Sequence, residues 1–215
     1  MNEAIIKKLY PLFEKELVGE ILEVAVQRHF SPNEVLMRKG QYIRSTLLIL
    51  SGIIKVYRED DEGNEFLMYY LRPGEACALS LVCAAKQEAS PVLAKTDTET
   101  EAILIPVDLM SEWMSKYKSW YQFVIETYRG RFEELLLTID SVAFRSMDER
   151  LEFYLKRAKE VVGKNILEVS HQQIAQELNS SREVISRLLK KMEQRGMVLL
   201  HRNAIEIKIH RTPNS

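Results

Sequence analysis

The sequence predicts an α+β protein: an antiparallel β-roll of the double-stranded β-helix (jelly-roll) type, then a long helix, then a C-terminal winged helix-turn-helix. Three observations lead to this prediction. Short β-branched and aromatic runs bounded by turn residues fill residues 27–106. Helical periodicity then resumes over residues 119–143, and two helix starts lie ten residues apart at Ser170 and Ser180.

The composition narrows the class of protein. The 215 residues are 46% apolar and 28% charged, which is ordinary for one large or two modest folded domains. No apolar run approaches the roughly 20 residues that cross a bilayer, and the first residues lack the order of a signal peptide. We therefore expect a cytoplasmic protein without a membrane partner.

The two cysteines give little indication of chemistry. Cys77 and Cys83 are too few for a disulfide framework, and no Cys-His cluster accompanies them that could hold a metal. We expect no metal site and two buried thiols, with a redox switch as the alternative. The sequence does not indicate which cofactor, if any, the protein binds.

The remaining elements follow in order along the chain. Apolar residues at helical spacing over residues 5–22, interrupted by Pro11, predict two short helices. Residues 107–118 predict another helix after the strands. The strands are too closely spaced for βαβ crossovers, so the sheet should be antiparallel. Examples of the expected strands are residues 34–37, 47–50, 53–57, 66–71 and 102–105.

The helix predicted over Ser119–Ala143 is the longest in the chain. About 25 residues at 1.5 Å per residue make it about 37 Å long, more than one small domain needs. Its apolar residues recur three and four apart, as in helices that pair with a second copy of the chain. Packing within the chain is the alternative. The predicted dimer interface consists of Phe123, Tyr128, Phe132, Leu135, Leu136, Ile139 and Val142.

Three serine-led capping boxes mark helix starts in the last third of the chain. Ser146–Glu149 begins a helix that Gly163 ends. Ser170–Gln173 and Ser180–Glu183 begin two more, with one short helix and a tight turn between them. Asn179 in this turn tolerates a left-handed backbone. The pattern predicts a helix-turn-helix.

The second helix of this pair presents a polar face near its N-terminus, where a recognition helix meets base edges. Arg182, Glu183, Ser186 and Arg187 lie on this face at i, i+1, i+4 and i+5. Arg can donate two hydrogen bonds to guanine, Glu can accept one from cytosine, and Ser can bond a base or a phosphate. The alternative is a solvated i,i+4 ion pair between Glu183 and Arg187. Phosphate contacts are expected from Ser170, Ser181, Lys190, Lys191 and Arg202.

A β-hairpin follows the helix pair. Residues 197–200 and 204–209 alternate in polarity and are joined by His201-Arg202-Asn203, which predicts a wing with Arg202 at its tip. The charge divides along the chain as well. Residues 1–144 hold 16 basic and 22 acidic side chains, whereas residues 145–215 hold 14 and 9. The C-terminal third therefore attracts polyanions.

This order of parts resembles the CRP/FNR family of bacterial transcription regulators over nearly the whole chain. The most specific piece is Ser181–Lys190, in which Arg182, Glu183 and Arg187 match base-reading positions of the CRP branch. Glu183, Ser186 and Arg187 match those of the FNR branch, and the shared residues imply a TGA-containing half-site. The implied domains are a cyclic-nucleotide-binding-like β-roll sensor with flanking helices (1–118), a dimerisation helix and hinge (119–145) and a winged helix-turn-helix DNA-binding domain (146–215).

The resemblance also shows where the sensor departs from cyclic-AMP-binding relatives. These would place a ribose-binding Glu near Leu79 and a phosphate-binding Arg-Ser pair at Ala89-Ser90, of which only the Ser is kept. A phosphate buried without a guanidinium partner is unfavourable, so we expect an effector other than cyclic AMP in the usual mode. The N-terminal cysteines of oxygen-sensing members are absent, and haem would have only His29. The expected effector pocket comprises Gly74, Leu79, Ser80, Ala89 and Ser90.

The resemblance thus implies a homodimer that binds a near-palindromic operator in double-stranded DNA and responds to an unknown small-molecule effector. RNA polymerase would be a further partner if the protein is an activator. The alternative is a ligand-binding or protein-interaction module that retains the fold without reading DNA. We expect no enzyme and assign no catalytic residue, because the sequence lacks P-loop, G-x-S-x-G and H-E-x-x-H motifs.

Overall fold

A computed structural model describes residues 2–78, 81 and 88–208, without the side chains of residues 141–144. The chain forms two compact units. Met1–Glu59 and Met68–Leu136 make up the first, and Asp60–Leu67 and Leu137–Ser215 the second. The domain boundaries expected from the sequence stay a prediction. Within the described residues, no helix is both long and apolar enough to cross a membrane.

Two short helices open the first unit, as predicted. The Oδ1 atom of Asn2 accepts a hydrogen bond from the backbone N–H of Ala4 and caps α1 (Glu3–Leu9). Pro11 lies in the turn that follows, and α2 (Lys15–Val24) begins after it. Both helices bury apolar side chains in the core of the first unit because their apolar residues recur at helical spacing.

Two antiparallel sheets form the roll, which confirms the predicted architecture. Their strand orders are β1-β7-β3 and β2-β6-β4-β5. Buried residues of both sheets, including Ile49, Ile54 and Leu71, form one apolar cluster. The strands are β1 (Val26–Phe30), β2 (Val35–Met37), β3 (Ser45–Ser51), β4 (Ile54–Glu59), β5 (Glu65–Leu71), β6 (Leu93–Thr96) and β7 (Thr100–Pro106).

Strands β1 and β6 were not among the runs singled out from the sequence. Only Phe30 of β1 is buried, so the strand lacks the alternation that marks a half-buried strand. It forms because each of its residues pairs with β7, from Val26 opposite Leu104 to Phe30 opposite Thr100. Strand β6 has four residues and is held between β2 and β4. Both depend on partners distant in sequence.

Two helices follow the roll. The helix expected from Val107 begins at Leu109, because β7 continues to Pro106 and a turn separates the two elements. It forms α3 (Leu109–Lys116), and α4 (Lys118–Phe144) follows with 27 residues, close to the predicted span. The first turns of α4 pack on the core of the first unit through Trp120 and Val124.

The second unit contains the predicted helix-turn-helix and wing. The wing hairpin is joined by a two-residue strand that the sequence did not indicate, giving the sheet order β8-β10-β9. The core includes Leu151, Ile174, Ile185 and Ile205, all at most 1% exposed. Its elements are α5 (Met147–Val162), β8 (Ile166–Leu167), α6 (His171–Glu177), α7 (Arg182–Gln194), β9 (Val198–His201) and β10 (Ala204–Ile207).

Two of the three predicted capping boxes are present. Ser146–Glu149 begins α5, which ends at Gly163 with φ of 69°, and Ser170–Gln173 begins α6. The box predicted at Ser180 is wrong. The backbone N–H of Ser180 closes the end of α6 by donating to the Ala175 carbonyl (2.8 Å), and Ser181 caps α7 instead.

Candidate DNA interface and effector pocket

The turn between α6 and α7 is fixed by several hydrogen bonds. Asn179 adopts the expected left-handed conformation with φ of 50°. The Nη2 atom of Arg150 on α5 donates to the Leu178 carbonyl (2.8 Å). Nearby, the hydroxyl of Tyr154 donates to Oε2 of the buried Glu177 (2.7 Å). These contacts hold α6 and its turn against α5, so the turn is a rigid part of the unit.

The packing of α7 decides which of its side chains face solvent. Ile185, Leu189 and Met192 are buried at helical spacing in the core of the second unit. This leaves Arg182, Glu183 and Arg187 exposed close to the N-terminus of the helix. The structure therefore brings three of the four predicted base-reading side chains to one exposed surface. Their contacts with bases stay a prediction.

Glu183 and Arg187 do not form the ion pair that the sequence allowed as an alternative. Across the described ranges 2–78, 81 and 88–208, neither side chain has an ion-pair partner. Both charged groups are therefore available to a partner outside the chain. A positively charged N-terminal end of the helix dipole lies at the same place and favours negatively charged ligands there.

Ser186, the fourth predicted residue, is half-buried beneath this surface. Its Oγ atom lies 2.9 Å from Nδ1 of His171, the first residue of α6. Burial and, second, the positive charge of Arg182 hold the pKa of His171 below its usual value. The neutral imidazole is therefore favoured, and in the tautomer protonated at Nε2 its Nδ1 atom accepts a hydrogen bond from the Ser186 hydroxyl. Sequence reasoning missed this contact, because no local pattern relates the two residues.

The predicted phosphate-contacting residues occupy three places. Ser170, at the N-terminus of α6, and Arg202, at the wing tip, line one concave surface together with Gln173 and Asn203. Lys190 and Lys191 are exposed on α7. Ser181 is exposed, and its Oγ atom accepts from the Val184 N–H (3.3 Å). Their role in phosphate binding stays a prediction.

The wing is connected to α7 by a side chain. Oε1 of Glu193, near the C-terminus of α7, accepts a hydrogen bond from the backbone N–H of Leu200 in β9 (2.8 Å). In addition, Asn203 has a φ of 60° in the turn between β9 and β10. The position of Arg202 is therefore set by the hairpin and by its connection to the recognition helix.

The apolar stripe of α4 divides into two parts. The ring of Phe123 packs edge-on against Tyr10 and Phe13, with centroid distances of 5.6 and 5.2 Å. The hydroxyl of Tyr128 donates to the Ala78 carbonyl (2.6 Å). Both side chains are partly buried and pack against the core of their own chain. Their contribution to a dimer interface stays a prediction.

The rest of the stripe is exposed. The exposed fractions are 64% for Phe132, 37% for Leu135, 47% for Leu136 and 55% for Ile139. The side chain of Val142 lies outside the described residues. The contribution of these residues to a dimer interface stays a prediction.

The described members of the expected effector pocket use their polar groups within the chain. The N–H of Gly74 donates to the Ile49 carbonyl (3.0 Å). The Ser90 hydroxyl is buried and donates to the Val92 carbonyl (2.9 Å) while accepting from the Val92 N–H (3.2 Å). Ala89 forms a bridge with Tyr42. Leu79 and Ser80 lie outside the described residues. A cyclic phosphate would find no charged side chain at Ala89 and an occupied hydroxyl at Ser90.

A separate pocket of about 570 Å³ opens into the roll, and Gly74, Ala89 and Ser90 do not line it. Its walls come from both sheets and are mainly apolar. The sequence did not indicate this pocket, because its residues are spread over all seven strands of the roll and the loop before β3. Among the residues the structure describes, the lining includes Phe30, Val35, Leu36, Met37, Leu47 and Leu104, and its charged members are Arg28, Glu34 and Arg44.

Arg131 joins α4 to the roll. Its Nη2 atom contacts Oε2 of Glu75 (2.7 Å), a second ion pair links it to Glu134, and the guanidinium lies 4.9 Å from the ring centroid of Tyr69. Burial alone would lower the pKa of Arg131, but the negative charges of Glu75 and Glu134 outweigh burial and raise it. The Arg131 guanidinium therefore stays charged at the place where α4 meets β5 and the turn that follows it.

A β-roll followed by a long helix and a winged helix-turn-helix, with two arginines and a glutamate exposed at the start of the recognition helix, is the architecture of a DNA-binding transcription regulator. Residues 27–117 match the family model of the cyclic nucleotide-binding domain, and residues 146–211 match that of the Crp-like helix-turn-helix domain. The chain belongs to the CRP/FNR family of transcription regulators.

Individual relatives agree with this assignment. The cyclic AMP receptor protein of Thermus thermophilus is 25% identical over 203 residues, which cover 92% of each chain. The global nitrogen regulator of Nostoc sp. is 20% identical over 185 residues and 83% of each chain. A solved structure assigned to the Crp/Fnr family, from Eubacterium rectale, has a TM-score of 0.81 at 26% identity and covers 93% of this chain and 94% of that one. The predicted family and fold are confirmed.

Proposed function

We propose that this chain acts as a homodimer on a near-palindromic operator with TGA-containing half-sites, and that a small effector held in the β-roll gates DNA binding. The observation that carries the proposal is the exposed N-terminal surface of α7. Arg182, Glu183 and Arg187 project from it with no ion-pair partner among the residues the structure describes. A rigid, half-buried helix thus presents two guanidinium groups and one carboxylate, which can donate to and accept from base edges in the major groove.

Each charged group has a stated partner in the proposed complex. Arg187 donates two hydrogen bonds to O6 and N7 of the guanine, and Glu183 accepts one from N4 of the cytosine paired with it. Arg182 contacts a base that flanks the TGA core. Ser186, with its proton directed towards His171, accepts a hydrogen bond from an amino group of the neighbouring base.

Phosphate contacts position the helix in the groove. Ser170 and Arg202 approach one strand from the concave surface that they share. Lys190 and Lys191 on α7 and the Ser181 cap bind the backbone on either side of the bases. These contacts carry no sequence information and set the register of the protein on the duplex.

The exposed part of α4 supports a two-fold dimer. Phe132, Leu135, Leu136 and Ile139 place four large apolar side chains in water. Burying them against the same residues of a second copy stabilises the pair by about 25 cal/mol for each Å² of apolar surface removed from water. The two recognition helices then reach successive major grooves about 34 Å apart.

The remaining partners follow from this role. We place the protein in the cytoplasm, with RNA polymerase as a partner if it activates transcription. The effector is not cyclic AMP bound in the usual mode, because Ala89 supplies no cation and the Ser90 hydroxyl is already bonded to Val92. A cyclic phosphate would lose its solvation without gaining its main charge partner.

Operator selection from random DNA with the full chain tests the proposal. A near-palindrome with TGA in each half is expected. On that operator, Arg187→Ala should weaken binding by about 1–3 kcal/mol and remove the preference for the guanine. Lys190→Ala is the matched control, because loss of a phosphate contact weakens binding to all sequences equally.

Two outcomes would contradict the proposal. An unchanged sequence preference in Arg187→Ala would refute the assigned base contact. Gel shifts over a salt series that show no selective, salt-sensitive retention of DNA would instead support a module that has kept the fold without reading DNA.

A further inference from the structure

The pocket in the β-roll has the size and wall chemistry of a ligand site. Its volume of about 570 Å³ lies within the range of about 300–1,000 Å³ found for small-molecule pockets. Both sheets contribute to it, so an occupant would touch β1, β3 and β7 on one side and β2, β4, β5 and β6 on the other. Phe30, Met37, Ile54 and Leu71 are buried side chains of its wall.

Two arginines lie at the solvent-exposed rim of this pocket. Arg28 comes from β1 and Arg44 from the loop before β3, and both are exposed. Within residues 2–78, 81 and 88–208, no carboxylate pairs with either guanidinium. The third charged residue in the described part of the lining is Glu34, whose Oε2 atom accepts a hydrogen bond from the Ser31 N–H (2.9 Å). The rim thus carries a net positive charge.

We propose that this pocket binds a small organic carboxylate with an apolar body, either a ring or a short chain, and that Arg28 and Arg44 hold the carboxylate. Guanidinium groups bind carboxylates with two parallel hydrogen bonds, which fixes the charged end of the ligand at the rim. The apolar body then displaces water from the walls around Met37 and Ile54.

The same walls disfavour a nucleotide in this pocket. Ribose hydroxyls and base edges buried against Phe30, Leu71 and Leu104 would lose their hydrogen bonds to water, because the polar lining residues Gln41 and Tyr42 are exposed and do not belong to these buried walls. The inference rests on the proposed function, because it names the chemical class of the effector that gates DNA binding. An occupant that touches both sheets would also fix the distance between them.

Isothermal titration calorimetry of the full chain tests the inference with octanoate, phenylacetate and 1-octanol as probes. At least one carboxylate is expected to bind, and octanoate at least tenfold more tightly than 1-octanol, which has the same chain without the charge. Arg28→Gln and Arg44→Gln should each weaken carboxylate binding about tenfold, as for loss of a charge-assisted hydrogen bond.

Arg38→Gln is the matched control. Arg38 is an exposed arginine of the same loop that does not line the pocket, so its replacement should leave carboxylate binding unchanged. A second variant, Leu36→Trp, fills the pocket and should abolish binding while circular dichroism verifies that the chain is folded. Equal binding of octanol and octanoate, an equal loss in Arg38→Gln, or no binding of either carboxylate would overturn the inference.

Operator binding is measured on the same preparations by fluorescence anisotropy, which separates the two hypotheses. Selective DNA binding without carboxylate binding refutes the ligand class and leaves the proposed regulator intact. Carboxylate binding without selective DNA binding refutes the proposed function and leaves the ligand site intact. A shift in operator affinity on adding octanoate, lost in Arg44→Gln, supports both.

Discussion

Individual residues of the recognition helix could be predicted when their relationship was local in sequence. The i, i+1, i+4, i+5 spacing placed Arg182, Glu183 and Arg187 on one face, and the structure exposes all three. The contact of Ser186 with His171 joins residues 15 apart on two helices. Its existence depends on how α6 crosses α7, which no local pattern encodes.

The lowered pKa of His171 gives the second unit a pH-dependent stability. Because the folded-state pKa lies below the unfolded value, the neutral ring stabilises the fold fully above about pH 6.5. This stabilisation is lost as the pH falls towards the lowered value. Replacing His171 by Gln removes the titration and keeps a polar partner for Ser186.

Urea unfolding at pH 7.5 and 5.5 checks this prediction. The wild-type chain should lose more free energy of unfolding on acidification than His171→Gln. Identical losses in the two proteins would show that His171 does not contribute.

Gly52 is a position where only glycine fits the observed backbone. Its φ is +85°, and a Cβ atom there would lie 2.3 Å from the Glu99 carbonyl oxygen and 2.7 Å from Cα of Thr100. Gly40 has a similar φ of +82° with open space around it. We therefore expect Gly52→Ala to destabilise the fold by more than about 2 kcal/mol, and Gly40→Ala by only the left-handed strain of about 1–2 kcal/mol. Chemical denaturation of both variants measures the difference, and equal losses would contradict the steric argument.

At the scale of elements, amphipathic spacing identified helices and strands but not their partners. The stripe on α4 was continuous in sequence, yet Phe123 and Tyr128 pack on their own chain while Phe132 and Leu136 are exposed. Periodicity shows that a face is apolar and leaves open what covers it. Strands β1 and β8 were missed for a related reason, since each is fixed by pairing with a distant strand and not by its own composition.

Substitutions along α4 separate the two parts of the stripe. Phe132→Glu and Leu136→Glu introduce charges into the proposed two-fold interface. Each should shift the chain from dimer to monomer, as measured by sedimentation velocity. The free energy of unfolding of the monomer should change little. Leu12→Glu is the control, because Leu12 is 75% exposed and lies on a different element. Phe123→Ala should have the opposite pattern: it should lower the free energy of unfolding by about 2 kcal/mol or more, because aromatic packing is lost, and should leave the dimer interface intact. A dimer that persists in Phe132→Glu and Leu136→Glu would place the interface elsewhere.

At the scale of the whole molecule, charge and proposed function divide along the chain. The excess of acidic residues over residues 1–144 and of basic residues over 145–215 could be counted from the sequence, and the surface proposed to read DNA lies in the basic part. The proposed ligand pocket of the β-roll was harder to predict from the sequence. It is assembled from seven strands and the loop before β3, so the arginines at its rim lie on a strand and a loop that sequence patterns did not connect.

This division predicts a specific dependence of operator binding on salt. Lys190, Lys191 and Arg202 are exposed cations expected at phosphates, so a dimer that uses all of them neutralises about six phosphates. The logarithm of the binding constant should then fall with the logarithm of salt concentration with a slope of about −5. Lys191→Ala removes one contact from each head and should reduce the slope by about 2 per dimer. Lys8→Ala removes an exposed cation of the first unit and should leave the slope unchanged. Equal slopes in wild type and Lys191→Ala would show that this lysine does not contact a phosphate. A reduced slope in Lys8→Ala would show that the salt dependence reflects the overall charge of the protein instead of contacts at the second unit.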